Sequence, residues 1–429
     1  MKLHLFLIGV ALLLGSGPLF AKTVRYELNV EKKPMNMSGK KEVDFALTVN
    51  GGIPAPTLEF TEGDEAEILV RNKLANEEVS IHWHGILLPP EEDGVAYVNT
   101  PPIFAGEERL FRFKIRQHGT YWYHSHTALQ EQKGVYGAFV IHPKKKNLRY
   151  DREAVVVLSD WSDENADQIV RNLRKDGDFY LYKKNSIRSY SGAIGAGALT
   201  SHLANEWSRM GGMDLSDVGY DAFLINGKRD LQLLTAHPGE RIRLRIINAA
   251  ASTYFHVAMG VPMRVVSADG VDIEPVQANE ILMAMAETYD VLFTVPEHKN
   301  YELRASAQDG TGTASAWIGM GQKVAAPQKP APNPYASMDH AQHADQSAME
   351  DHSAHADHSA HANHAAHANH GGEEESSSHS QVLESLTVDS IQALRPTSLP
   401  KDAKTHDVKL VLGGDMERYV WHINGKTIQ

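Results

Sequence analysis

A repeat constrains this chain more than any other feature. Gly63-Asp-Glu-Ala-Glu-Ile-Leu-Val-Arg-Asn72 is echoed by Gly239-Glu-Arg-Ile-Arg-Leu-Arg-Ile-Ile-Asn248. Each copy is a glycine and an acid, then an alternating run, then an asparagine. Alternation with a period of two marks a half-buried β-strand, and in the first copy Ala66, Ile68 and Val70 share one face. An Asn-Gly pair precedes each copy, Asn50-Gly51 and Asn226-Gly227, and Ile225-Asn-Gly-Lys228 recurs late as Ile423-Asn-Gly-Lys426. A unit repeated in this way implies three copies of one antiparallel sandwich, the third only begun at Gln429. Strand-like runs at Thr23–Val30 and Phe45–Val49, with Gly, Pro and Asn clusters every ten or so residues, fit the same all-β architecture.

Two segments stand outside the repeat. One helix is expected between the first two sandwiches, capped by Asp163, striped by Ala166, Ile169, Val170 and Leu173, and ended at Gly177. The Gly/Ala/Ser-rich stretch Tyr190–Leu199 reads as a loop. Residues 326–381 are a different material, with ten histidines between His340 and His379 and almost no large apolar side chains. Such a segment cannot offset its ordering entropy by burial and is expected to be disordered.

Several functional classes fall away on composition. Lys plus Arg is 42 against 54 Asp plus Glu, a net charge of −12, with no basic stripe to hold nucleic acid. Met1-Lys2, the apolar run Leu3–Leu14 and Ala21 read as a secretory signal. The run is shorter than the roughly 20 residues that span a bilayer, and no later segment is apolar enough to span one. No twin-arginine pair precedes it, so a Sec-type route to the periplasm is expected. The chain has no cysteine and must rely on its own cores.

The chemistry concentrates in His82-Trp-His84-Gly85 and Tyr123-His124-Ser125-His126. Residues i and i+2 of a strand point to one face, roughly 6.6 Å apart. Two such pairs brought together offer four imidazoles to one volume. Imidazole suits copper, zinc and iron, and four neutral donors with no carboxylate among them lean towards copper. A lone His-x-His pair among 23 histidines is weak evidence; two on aromatic-rich strand patterns are harder to ascribe to coincidence. His237 and His256 lack such partners and read as structural. Met259, Met263, Met283 and Met285 read as core packing, with cuprous-ion contact as the alternative. Asp290 reads as a turn or corner anchor.

These residues carry a resemblance. Ile81-His-Trp-His-Gly-Ile86, Asp93-Gly-Val95, Gln117-His-Gly-Thr-Tyr-Trp-Tyr-His-Ser-His126, Gln130-Glu-Gln-Lys-Gly-Val-Tyr-Gly137 and Val140-Ile-His-Pro143 resemble the multicopper oxidases, above all their periplasmic copper-resistance protein A group. Ser159-Asp-Trp161, Arg243-Leu-Arg-Ile-Ile-Asn248, Ala268-Asp-Gly270 and Ala286-Glu-Thr-Tyr-Asp290 continue it, and Gly414-Asp-Met-Glu-Arg-Tyr-Val-Trp421 is similar to the opening of the family's third domain. The resemblance implies tandem cupredoxin domains, which are Greek-key β-sandwiches. It implies a division into a signal over residues 1–21, a ligand-bearing sandwich over 22–146, a second over 147–325, a histidine-rich linker over 326–381 and the start of a third sandwich over 382–429.

It further implies a trinuclear copper cluster held by eight histidines, four from the first domain and four from the third. By position His82 matches the type 2 ligand, and His84, His124 and His126 match type 3 ligands. Asp93 matches an acid that relays protons to bound oxygen, its alternative being a plain turn residue before Gly94. The implied activity is oxidation of cuprous ion or phenolic donors with reduction of oxygen to water. The family's third domain adds His-Pro-x-His-x-His and His-Cys-His segments, the cysteine binding type 1 copper. Neither segment is in this sequence, which therefore reads as a truncated frame. The non-catalytic alternative is a copper-sequestering protein acting through its histidine tract, with Met338 and Met349 as added soft donors. A copper nitrite reductase is weaker, since it needs a cysteine in its first domain.

Overall fold

The computed structural model describes residues 22–335 and 382–427, apart from residues 147, 178, 181–187, 209–215, 397 and 416–418. The signal sequence, Met338, Met349 and the histidines between 340 and 379 lie outside the described residues.

The first sandwich is built from β1 (Thr23–Lys32), β2 (Leu47–Val49), β3 (Ala55–Thr61), β4 (Glu65–Asn72), β5 (His82–His84), β6 (Glu108–Lys114), β7 (Gly119–His124) and β8 (Tyr136–His142). One sheet runs β2-β1-β4-β6 and the other β3-β8-β7-β5. Burial alternates along β4, with Ala66, Ile68 and Val70 inward as their spacing demands. The core between the sheets gathers Leu28, Val30, Trp83, Phe111, Phe113 and Phe139.

The second sandwich comprises β9 (Arg152–Trp161), β10 (Ala222–Ile225), β11 (Asp230–Leu234), β12 (Arg241–Asn248), β13 (Phe255–Ala268), β14 (Val271–Met283), β15 (Thr288–Thr294), β16 (Lys299–Ala307), β17 (Thr313–Gly319) and β18 (Gln322–Val324). Its hydrogen-bonded path is β10-β9-β12-β15-β13-β16-β17-β11, with β14 on β13 and β18 on β16. Beyond the histidine-rich segment, β19 (Val382–Leu386) adds in parallel to β14, and β20 (Leu412–Asp415) pairs with β21 (Val420–Ile423).

The sequence repeat is a repeat of backbone devices. Asn50-Gly51, Asn226-Gly227 and Asn424-Gly425 all hold two successive positive φ angles, 51° and 79°, 49° and 76°, and 52° and 73°. That is the pairing a tight hairpin turn of this hand requires and Asn-Gly tolerates. In each turn the asparagine side chain bridges the same two backbone groups, an N–H and the carbonyl two residues before it, of an earlier segment. Asn50 accepts from Asn29 N–H and donates to Glu27 O, both at 2.8 Å. Asn226 does so with Val157 (2.8 Å) and Val155 (2.9 Å), and Asn424 with Val411 (2.8 Å) and Lys409 (3.3 Å).

The buried asparagines that end the repeats match in the same way. Asn72 accepts from Leu74 N–H at 2.9 Å and donates to Glu77 O at 2.7 Å. Asn248 accepts from Ala250 N–H at 3.1 Å and donates to Thr253 O at 3.0 Å. The strands they close pair alike: β1 runs parallel to β4, and β9 parallel to β12.

Helical segments depart from expectation in two places. The helix α1 (Ala166–Lys175) is capped by Asn165, whose Oδ1 accepts from Asp167 N–H at 2.9 Å, not by Asp163. Asp163 is occupied instead by Ser38 Oγ (2.7 Å) and Trp161 Nε1 (3.1 Å). Ile169 and Leu173 pack inward as the stripe predicts. The stretch read as a loop contains α2 (Tyr190–Gly195), and α3 (Leu199–Ser208) follows. Ser189 Oγ caps α2 through Gly192 N–H at 3.0 Å, and Tyr335 OH clamps Ser189 by its N–H (2.8 Å) and carbonyl (2.9 Å). A partner 146 residues away thus helps hold the cap of a helix whose local composition disfavours one.

The two sandwiches share a seam. Trp122, Tyr136 and Ala138 of the first pack with Val157, Trp161, Leu224 and Ile247 of the second. Asp290 belongs to this seam and is no corner anchor: it lies in mid-strand on β15, fully buried. Its carboxylate accepts from Thr120 Oγ1 at 2.6 Å and from Arg243 Nη2 at 2.5 Å. Arg245 Nη1 donates to Thr120 Oγ1 at 2.9 Å, and Thr288 Oγ1 to Thr120 O at 2.9 Å. Buried charges persist when paired and hydrogen-bonded in this way.

Candidate metal centre

Register brings the two histidine pairs together. β5 and β7 are antiparallel, with His82 opposite His124 and His84 opposite Trp122. Between the two histidines of β5, Trp83 points the other way into the core, where its ring meets Phe111 at 5.3 Å. His82 is the hub: its ring centroid lies 5.5 Å from His84, 5.6 Å from His124 and 5.7 Å from His126. Donor nitrogens of His82, His84 and His124 all fall within 4.8 Å of one another. β7 ends at His124, so the second pair straddles a strand end. His126 sits on the exposed rim, 5.8 Å from His124.

Hydrogen bonds decide which nitrogens are free. His82 Nδ1 lies 2.8 Å from the carbonyl of Asp93, with the Asp93 carboxylate 3.5 Å away. Asn99 Nδ2 donates to the other carboxylate oxygen at 2.8 Å. Asp93 therefore touches the cluster as well as ending a turn. Its loop can approach because Gly94 has φ +86°, and a Cβ there would lie 1.7 Å from Ile81 O. His124 Nδ1 faces Ser125 O at 3.1 Å and Glu131 Oε2 at 2.8 Å, leaving Nε2 directed at His84 Nδ1, 3.4 Å away. Burial, reinforced by the neighbouring imidazoles, pulls the pKa of His84 down to about 4, and burial also lowers that of His82. At neutral pH both are neutral donors with lone pairs available.

Two multicopper oxidase family models match the chain, one over residues 29–146 and the other over 152–322. The chain belongs to the multicopper oxidase family. Copper resistance protein A of Escherichia coli is 40% identical over 73% of this chain and 53% of its own length. The multicopper oxidase MmcO of Mycobacterium tuberculosis is 29% identical over 95% of this chain and 70% of its own. The laccase of Botrytis aclada superposes with a TM-score of 0.57 at 24% identity, over 72% of this chain and 56% of that one, and bears out the cupredoxin-like sandwich fold. The chain spans about half the length of the copper resistance proteins it matches. Multicopper oxidases use copper, with a type 2 and type 3 cluster as the family standard. The residues present fit it: converging, desolvated, neutral imidazoles are the donor set copper favours.

Around these histidines lie residues that sequence reasoning missed. Trp122 stacks on His124 (4.2 Å, 13°) and on His84 (5.1 Å, 29°), packing both rings from one side. Its spacing of two from His124 signalled a shared face. Glu131 had no such signal, because a turn carries it back onto His124. A cavity of about 330 Å³ opens beside His84, lined also by Tyr121, Trp122, Asp269, Met285 and Glu287. Met285 lines it, whereas Met259, Met263 and Met283 are buried in the second core as expected. Burial raises the pKa of both carboxyls in its wall, Asp269 and Glu287. His256 pairs with Glu280 at 2.8 Å in a structural role.

Proposed function

We propose that this chain supplies the first-domain half of a periplasmic copper oxidase centre, with His82 as type 2 ligand and His84, His124 and His126 as type 3 ligands. The convergence of three donor nitrogens within 4.8 Å carries the reading. When bound, copper supplies one-electron redox chemistry linking a donor to oxygen, which is reduced to water. The donor is cuprous ion or a phenol, with cuprous ion favoured by the histidine tract. The protein's own residues fix the free nitrogens, pack Trp122 against the His84 and His124 rings, and hold a proton source. Reduction of oxygen consumes protons, and Asp93, in contact with His82, is placed to pass them on. A third sandwich, opened by the third Asn-Gly device, would bring the remaining ligands and the type 1 copper.

The test is copper loading followed by oxygen uptake with a third domain joined. Copper-dependent uptake with cuprous ion or a phenol, lost in His84→Ala, is expected; no uptake with either donor overturns the catalytic reading. The second reading is copper sequestration without turnover, favoured by the ten histidines between His340 and His379. Deleting residues 338–379 removes most bound copper if that reading holds and little if it does not.

A further inference from the structure

We propose that Glu131 is a positioning residue that orients His124 and strengthens its bond to copper. Imidazole has two nitrogens, and a metal needs one of them as a bare lone pair. Glu131 Oε2 at 2.8 Å and Ser125 O at 3.1 Å are both acceptors facing Nδ1. They fix the proton on Nδ1 and leave Nε2 bare on the side of His84. The carboxylate also sets a negative charge against His124, and outer carboxylates of this kind orient histidine ligands and tighten metal binding.

The position is built by the fold. Glu131 sits in the tight turn between β7 and β8, where Gly134 N–H closes on Glu131 O at 3.0 Å. Its neighbour Gln130 is buried and held on both ends: Oε1 accepts from Ser125 Oγ at 2.8 Å, and Nε2 donates to Glu78 O at 2.8 Å. Two residues on, Lys133 Nζ donates to Asp167 Oδ2 of α1 at 3.0 Å, tying the turn to the second sandwich. Among the described residues no lysine or arginine pairs with Glu131; its ion-pair partner is His124. The turn therefore spends a mostly buried carboxylate on one imidazole.

The inference rests on His124 being a copper ligand, and the experiment separates the two. In the full chain labelled with ¹⁵N at histidine, the His124 ring signals are assigned with His124→Asn. Tautomer is read in the copper-free protein. Cupric ion buffered by a chelator is then titrated, and the paramagnetic loss of the His124 signals gives its half-saturation.

Wild type is expected as the Nδ1–H tautomer. Glu131→Ala is expected to raise the half-saturating copper about ten- to a hundredfold, with the Nε2–H form appearing. Glu131→Gln keeps an acceptor without the charge and is expected between the two. It also serves if the alanine variant does not fold. Half-saturation in either folded variant within about twofold of wild type overturns the role of Glu131. Loss of no His124 signal in wild type overturns the ligand assignment itself.

Discussion

Removing the charge of Asp290 should loosen the seam between the sandwiches more than any single neutral change there. The Asp290 side chain is 0% exposed and those of Arg243 and Arg245 are 4% and 1% exposed, so none of the three is screened by water. Asp290→Asn leaves two buried guanidinium groups whose remaining carboxylate is Glu153, 3.0 Å from Arg245 and 26% exposed. Breaking a buried pair by removing one partner costs about 3–5 kcal/mol. At roughly 2–4 °C per kcal/mol for a unit of this size, the melting temperature should fall by about 6–20 °C. Arg243→Met should cost less, because Asp290 keeps Arg245 at 3.5 Å and Thr120 at 2.6 Å. Calorimetric melts of the two variants provide the assay. Asp290→Asn melting within about 2 °C of wild type, or Arg243→Met proving the more damaging, refutes the account of the seam as a charge cluster centred on Asp290.

Other outcomes are expected at named positions. Gly94→Ala forces a Cβ against Ile81 O and an L side chain into φ +86°, so it should cost more than about 2 kcal/mol and weaken copper binding at His82, read by melting and titration. The His118–Asp272 bond at 3.2 Å crosses the seam. That hydrogen bond raises the pKa of His118 and lowers that of Asp272. A raised histidine stabilises below about pH 6.5 and loses this as pH rises through its folded value; a lowered aspartate stabilises above about pH 4 and loses this as pH falls through its own. The melting deficit of His118→Ala should therefore peak near pH 5–6 and narrow by about pH 8. Asn248→Ala orphans the buried Ala250 N–H and takes the Nδ2 donor from Thr253 O and Met283 O, while Ala284 O keeps Glu287 N–H, and should cost about 2–4 kcal/mol by denaturant titration.

What the sequence encodes locally was legible in it. Asn50, Asn226 and Asn424 announce their turns because an Asn-Gly pair takes a conformation few other dipeptides can. His82 and His84, two apart on a strand, announce a shared face. What long-range contact decides was not legible. Thr120 and Asp290 meet across 170 residues, and nothing near either one says so. Glu131 reaches His124 only because buried Gln130 sets the path of a turn. Asn165 displaces Asp163 as the cap of α1 because Asp163 is engaged by Ser38 from the other sandwich.

These long-range contacts converge on one strand. Thr120, Trp122 and His124 alternate along β7 and so share its face. Thr120 is gripped by Asp290, Arg245 and Thr288, Trp122 is packed into the seam, and His124 follows as the next residue on that face. The second sandwich contributes none of the four proposed ligands, yet it fixes the strand that presents His124 and pairs with the one bearing His82 and His84. A change confined to Asp290 should therefore reach copper affinity as well as stability. That distinguishes a seam that positions the site from one that only joins two domains.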